Sequence, residues 1–235
     1  MSAINLRPLP AFAEGASAAE RMQALRAIVA EKFPETEVKP AGVLRTGLAE
    51  VDEIEGGLRR GAVTEVVGPV SGGSLLISAL LLAIHKQATF AALIDAGSTF
   101  DPQSADPATL PRLLWVRCAE AIQAVKAADL LLRDGNLPLI VLDLQNVPIR
   151  QARKVPMSTW HRFQRLAEPG GTALVILSTQ PLVEGAQVRI ALAQRWPLAV
   201  MRQRRSKLLQ EMRAQVFPRR HFAQMPGSDA LKRRA

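Results

Sequence analysis

Apolar positions along this chain follow two periods, and the change from one to the other outlines its organisation. Near the start, Met22, Leu25, Ile28, Val29 and Phe33 recur at three- and four-residue spacing, with Arg21, Arg26, Glu31 and Lys32 off that stripe. This is the period of an amphipathic helix over 17–33. Ser17-Ala-Ala-Glu20 has the form of a capping box, with Ser17 as N-cap and Glu20 reaching back, and Pro34 ends the helix. Residues 1–16, with Pro8 and Pro10, read as a flexible leader, lacking the charged head and apolar run of a signal peptide. Residues 34–44 read as an extended linker, because the residue before Pro40 avoids the helical region. A helix tied on by a linker must bury its stripe, either on its own domain or on a neighbouring subunit. The pattern leaves both open.

From residue 45 onward, short apolar runs alternate with helical stretches. Ala62–Val67 (AVTEVV) is a β-branched run closed by Gly68, and Ser74–Lys86 is a strongly apolar helix. Strands are predicted at Phe90–Ile94, Leu113–Val116, Leu139–Leu142 and Ala173–Leu177, with helices at Glu120–Arg133 and Thr159–Ala167. Continuous runs such as Leu139–Leu142 belong to strands buried on both faces. The alternation predicts an α/β core over 45–200, a mainly parallel sheet flanked by helices. After Gln180 the pieces shorten, and Val188–Leu192 and Leu198–Gln203 are predicted as antiparallel additions at an edge.

Composition narrows the class. With 48% apolar and 22% charged residues in a chain of 235, wholesale disorder is excluded. A single cysteine excludes a disulfide framework, and His85, His161 and His221 lack metal-ligand spacing, so no metal site is expected. Cys118, Trp115, Trp160 and Trp196 are expected in packing roles. The longest apolar runs fall short of the ~20 residues of a membrane span, so a cytoplasmic protein is expected, with association with the nucleoid left open.

The charge changes the picture more. Of the net +9, the segment 201–235 carries +8: Arg202, Arg204, Arg205, Lys207, Arg213, Arg219, Arg220, Lys232, Arg233 and Arg234 against Glu211 and Asp229. Such an end is expected to bind nucleic acid or an acidic protein surface; the alternative is a solvated tail that aids solubility. Phe217 and Phe222 interleave with Arg219 and Arg220, suited either to stacking on bases or to anchoring in a protein groove.

Candidate chemistry sits between the first predicted core strand and its helix. Gly68-Pro-Val-Ser-Gly-Gly73-Ser74-Leu75 has the setting and glycine spacing of a phosphate loop, G-x-x-x-x-G-K-[ST]. The lysine position holds Ser74 and the magnesium-binding hydroxyl position holds Leu75. Neither can neutralise phosphate oxygens or ligate the metal. The helix start retains only a weak pull on anions. Leu139-Ile-Val-Leu-Asp143 has the form of a Walker B strand, with the acid at the carboxyl edge of the sheet.

On these residues the chain resembles the RecA recombinase family, over roughly Ser17 to Arg204. Thr46-Gly47-Leu48-Ala49-Glu50-Val51-Asp52 and Gly56-Gly57-Leu58-Arg59-Arg60-Gly61 are similar to that family's lead-in to its first core strand. Phe90–Asp95 with Asp101-Pro102 is similar to the segment that carries its catalytic glutamate, where this chain has Asp95-Ala96-Gly97. Gln180, in Ser178-Thr179-Gln180, matches the family's nucleotide-sensing glutamine. The resemblance implies a RecA-like P-loop NTPase core with a degenerate Walker A motif, no ATPase chemistry and no cofactor. It implies that the 17–33 helix docks on a RecA subunit or on its own kind. A disarmed RecA-like chain with a basic end is similar to the ImuA family, accessory proteins of damage-induced mutagenesis. That likeness implies protein contacts with RecA, with an ImuB-type inactive Y-family polymerase and with an error-prone replicative polymerase, and an inhibitory effect on RecA recombination. Three alternatives stay open: a DNA-binding adaptor acting through the basic tail, a SulA-like division inhibitor, and a weak ATPase that borrows a lysine such as Lys86.

Overall fold

In the computed structural model the chain divides into two units, Met1–Lys39 and Pro40–Ala235. The structure describes residues 42–192, 200, 203 and 205–225, all in the second unit. The expected N-terminal helix, with Met22, Leu25, Ile28, Val29 and Phe33, lies outside the described residues.

The apolar runs become strands where the pattern predicts them. They are β3 (Val63–Val67), β4 (Ala91–Asp95), β5 (Leu113–Arg117), β6 (Leu139–Asp143) and β7 (Ala173–Ser178). Ahead of them β1 (Val43–Leu44) and β2 (Leu58–Arg59) form a small antiparallel pair around helix α1 (Ala49–Glu55). The main sheet runs β5-β4-β6-β7-β3-β8-β9. Every pairing from β5 to β8 is parallel and only β8–β9 is antiparallel. This is the expected α/β architecture.

The period-two alternation of a strand sends successive side chains to opposite faces, which builds two cores. Leu93, Leu139, Val141, Val175 and Leu177 meet helix α2 (Val70–Lys86) on one face. Ile94, Ile140, Leu142, Leu174 and Ile176 meet α3 (Ala121–Asp134) and, past the short α4 (Ile149–Ala152), α5 (Met157–Gly170) on the other. Phe163 of α5 is wholly buried there, edge-on to Trp160 with ring centroids 5.8 Å apart. Cys118 and Trp160 are core residues as expected, while Trp115 is half-buried.

Two differences lie past Gln180. β8 (Val188–Ala191), expected as an antiparallel edge strand, pairs parallel with β3 inside the sheet. The connection from β7 does not need a helix to make this crossover, because Val183 and Ala186 pack it into the second core. The antiparallel edge strand is instead β9 (Gln215–Pro218), within the basic segment, after helix α6 (Arg205–Glu211). The strand expected at 198–203 falls largely outside the described residues; Gln203 N donates to Val200 O in a turn.

β3 and β8 are also joined by a buried ion pair. Glu65 is fully buried, and its Oε2 accepts from Arg189 Nε at 2.7 Å, opposite it in register. Its Oε1 accepts from the amides of Leu182 and Val183. Arg189 donates to Val183 O at 3.2 Å and lies 4.2 Å from the ring centre of Phe222. Burial pushes the Glu65 carboxyl up, against the pull of Arg189 and the two amides. Phe222 is thus taken up by a guanidinium of its own chain.

Candidate functional site

Parallel strands place the sequence-predicted residues at one edge. β3 ends at Val67 and α2 begins at Val70, with Pro69 in an extended conformation as its N-cap. The helix therefore starts one turn before the expected Ser74, and residues 70–73 are wound into it. Gly72 N and Gly73 N donate to Pro69 O at 3.0 and 3.2 Å. A phosphate loop aims such amides at its ligand; these two are spent on the chain's own carbonyl.

The loop after β6 closes the turn from above. Gln145 is buried, and its Nε2 donates to Gly68 O at 2.9 Å and to Pro69 O at 3.2 Å. Its Oε1 sits against Gly73: a Cβ there would lie 1.8 Å from it, so only glycine fits. That Oε1 has no hydrogen-bond partner among the described residues. Asn146 does the same one strand over. A Cβ on Gly97 would lie 2.5 Å from Asn146 Cβ, and Asn146 Nδ2 donates to Gly97 O at 3.3 Å. Neighbouring amides thus fill the space beside both glycines.

Below them lie two acids. Asp143, at the end of β6, accepts from Gln145 N at 2.9 Å, and its Oδ2 is 2.9 Å from Thr99 Oγ1. Asp95, at the end of β4, accepts from the amides of Gly97, Thr99 and Phe100 and from Trp115 Nε1. Thr99 Oγ1 is also 3.2 Å from Asp95 Oδ1. One hydroxyl carries one proton. Both contacts are satisfied together when Asp143 holds a proton and donates to Thr99, which donates to Asp95. Burial pushes the Asp143 carboxyl above its usual range, against the pull of the Gln145 amide and the Thr99 hydroxyl, and the nearby Asp95 adds to the rise.

Known proteins show the family. A model of the RecA N-terminal domain matches residues 23–152, more than half of the chain. The chain belongs to the RecA N-terminal domain family. Protein RecA of Clavibacter michiganensis subsp. michiganensis is 31% identical over 144 residues, covering 54% of this chain and 40% of that protein. Protein RecA of Thermotoga neapolitana is 35% identical over 114 residues, 46% of this chain and 32% of its own length. That of Mycolicibacterium smegmatis is 37% identical over 111 residues, 45% and 32%. The chain thus spans well under half the length of these relatives. A crystal structure of the RadB recombinase superposes with a TM-score of 0.53 at 16% identity, covering 66% of this chain and 85% of that one, a likeness of fold.

Against a RecA-type site, the residues present fit a magnesium nucleotide poorly. Ser74 is half-buried, Leu75 is buried in the first core, and Gly97 offers no carboxylate. Gly68, Gly73, Gly97 and Asp143 come together at the carboxyl edge through Gln145 and Asn146, while Ser74 and Leu75 follow in the first turns of α2. Gln180 is held by Arg153, whose Nη2 donates to its Oε1 at 2.9 Å. Among the described residues no group of three His, Cys, Asp or Glu side chains could hold a metal, and no helix is long and apolar enough to cross a membrane.

The basic segment is folded in its described part, which carries the sheet beyond residue 200. Arg205 Nη1 donates to Ser78 Oγ, and Arg213 forms an exposed pair with Glu50 at 3.0 Å. Lys207, Arg219 and Arg220 are exposed. Arg202, Arg204, Lys232, Arg233 and Arg234 lie outside the described residues. Sequence reasoning missed Gln145, Asn146 and the Glu65–Arg189 pair. A glutamate inside the apolar run AVTEVV was the one visible signal.

Proposed function

We propose that this RecA-family chain is a non-catalytic accessory protein of damage-induced translesion synthesis and mutagenesis in the cytoplasm. It acts by contacts with RecA and with error-prone polymerase components, as its likeness to the ImuA family implies, and restrains RecA recombination. Fold alone does not assign this role. The observation that carries it is the Gln145 side chain seated on Gly73, Gly68 and Pro69, over a phosphate turn wound into helix. With Ser74 and Leu75 in place of lysine and hydroxyl, phosphate would have to displace that amide and would meet no cation at those two positions. A unit that cannot cycle ATP can join or cap a RecA filament without supporting its turnover.

Two measurements test this. Calorimetric titration with Mg-ATP is expected to show no binding tighter than millimolar; micromolar binding overturns the non-catalytic reading. Added to RecA filaments on single-stranded DNA, the full chain is expected to lower strand exchange. Unchanged strand exchange and ATP hydrolysis, with no capture of RecA or polymerase subunits, overturns the accessory role.

The exposed Lys207, Arg219 and Arg220 favour a second reading, a DNA-binding adaptor. Its affinity would fall with salt at a slope of about 0.9 per neutralised phosphate. Combined Lys207→Glu, Arg219→Glu and Arg220→Glu, all at exposed positions, would weaken it at least tenfold while leaving docking through the 17–33 helix.

A further inference from the structure

The face of α2 turned away from the sheet carries two adjoining apolar cavities that the nucleotide edge does not use. One, of about 550 Å³, lies between the lead-in loop, α2 and α6, with Val43, Leu82, Ala83 and Leu209 among its walls. The other, of about 270 Å³, adjoins the loop that holds Ala105 and Thr109. Leu82 and Leu209 line both, so the two form neighbouring compartments along one helix face. Sites of this size suit apolar anchors.

Cations outnumber acids in their walls: Arg45 and Lys86 line the larger cavity beside Asp52, and Arg205 lines the smaller beside Asp106. None of the three has an ion-pair partner among the described residues. The acids nearby are already engaged. Asp52 accepts from Thr46 N, Thr46 Oγ1 and Gly47 N, and Asp106 accepts from Ala108 N. Cations around aliphatic compartments complement a ligand with carboxylates around apolar side chains. Phosphodiester chains are a worse match, because single strands bind on aromatic platforms and, among the described residues, neither cavity has an aromatic wall.

We infer that this face of α2 docks an acidic segment of a partner protein, with two apolar side chains in the paired cavities and carboxylates at Arg45, Lys86 and Arg205. The inference rests on reading the chain as a protein-binding accessory, but not on the identity of RecA or a polymerase as partner.

The test is selection of a displayed random 12-residue peptide library on the full chain, then anisotropy titration of the best synthetic peptide. Acidic peptides with two apolar residues are expected to emerge. Arg45→Glu and Lys86→Glu, both at exposed positions, should each weaken the peptide about tenfold, the size of a lost interfacial charge pair. Lys126→Glu on α3 should leave it unchanged. Leu82→Ala should also weaken it about tenfold, with circular dichroism confirming the fold. Peptides without acids, equal affinity for the Arg45 and Lys86 variants, or displacement by an oligo-dT 12-mer would each overturn the inference. If peptide binding fails while RecA capture persists, only this inference falls. If RecA and polymerase capture fail while peptide binding persists, only the partner assignment does.

Discussion

Glu65 and the Asp95–Asp143 pair are both buried in the same sheet, but the first is ion-paired to a guanidinium and the second, among the described residues, forms no ion pair. Glu65 lies mid-strand, where Arg189 and the amides of Leu182 and Val183 answer its charge from both oxygens. Asp95 and Asp143 lie at the carboxyl edge, where like charges are close and only N–H and O–H groups answer them. The first arrangement locks β8 and Phe222 to β3. The second keeps the acids of a RecA-type site on a scaffold whose loop amides have closed over it.

The largest effect is expected from removing the cation at the first site. Arg189→Ala leaves Glu65 buried and uncompensated, which costs about 3–5 kcal/mol; urea unfolding measures it. Adding Glu65→Gln should recover much of that loss, and no recovery would mean that Arg189 acts through packing. At the second site, Gln145→Ala strips the carbonyls of Gly68 and Pro69 of their side-chain donor, costing about 1–3 kcal/mol. Its already orphaned Oε1 offsets part of this. Gly73→Ala should be strongly destabilising alone and much milder with Gln145→Ala, a non-additivity read from the four unfolding curves.

A smaller loss separates the partners of Arg189. Phe222→Leu keeps apolar bulk but removes the ring face, for about 1–2 kcal/mol at a desolvated site. The smallest effect is a slope with pH. Asp143 has a raised carboxyl in the fold, so the native state holds its proton where the unfolded chain has lost it. The stability from that proton is fully present below the ordinary carboxylate range and is lost as pH rises through the raised value. Asp143→Asn, which can donate to Thr99 at every pH, should flatten this part of the profile. Thermal melts from pH 4 upward test it, and an unchanged slope would place the proton elsewhere.

Legibility differed between these regions for a physical reason. The strands were readable because a parallel sheet covered on both faces needs unbroken apolar runs, and LIVLD and ALVIL are such runs. Gly68, Gly73 and Asp143 were readable because they keep a local spacing. Gln145 and Asn146 were not: their contacts are with Gly68 and Gly97, far away in the chain, and an amide after an acid has no pattern of its own. β8 was misassigned because no helix precedes it, and only packing of Val183 and Ala186 shows how its crossover is covered.

Residue order alone determined the α/β class and the likeness to RecA. It also determined the absence of lysine and hydroxyl at their motif positions, because these follow from short spacings, and through the likeness to RecA it implied the absence of the glutamate. The tertiary structure decided that the phosphate turn is wound into helix under Gln145, that Glu65 finds Arg189, and that part of the basic end becomes strand β9. Each of these depends on two distant segments meeting at a buried surface, where the cost of leaving a polar group unpaired selects the partner.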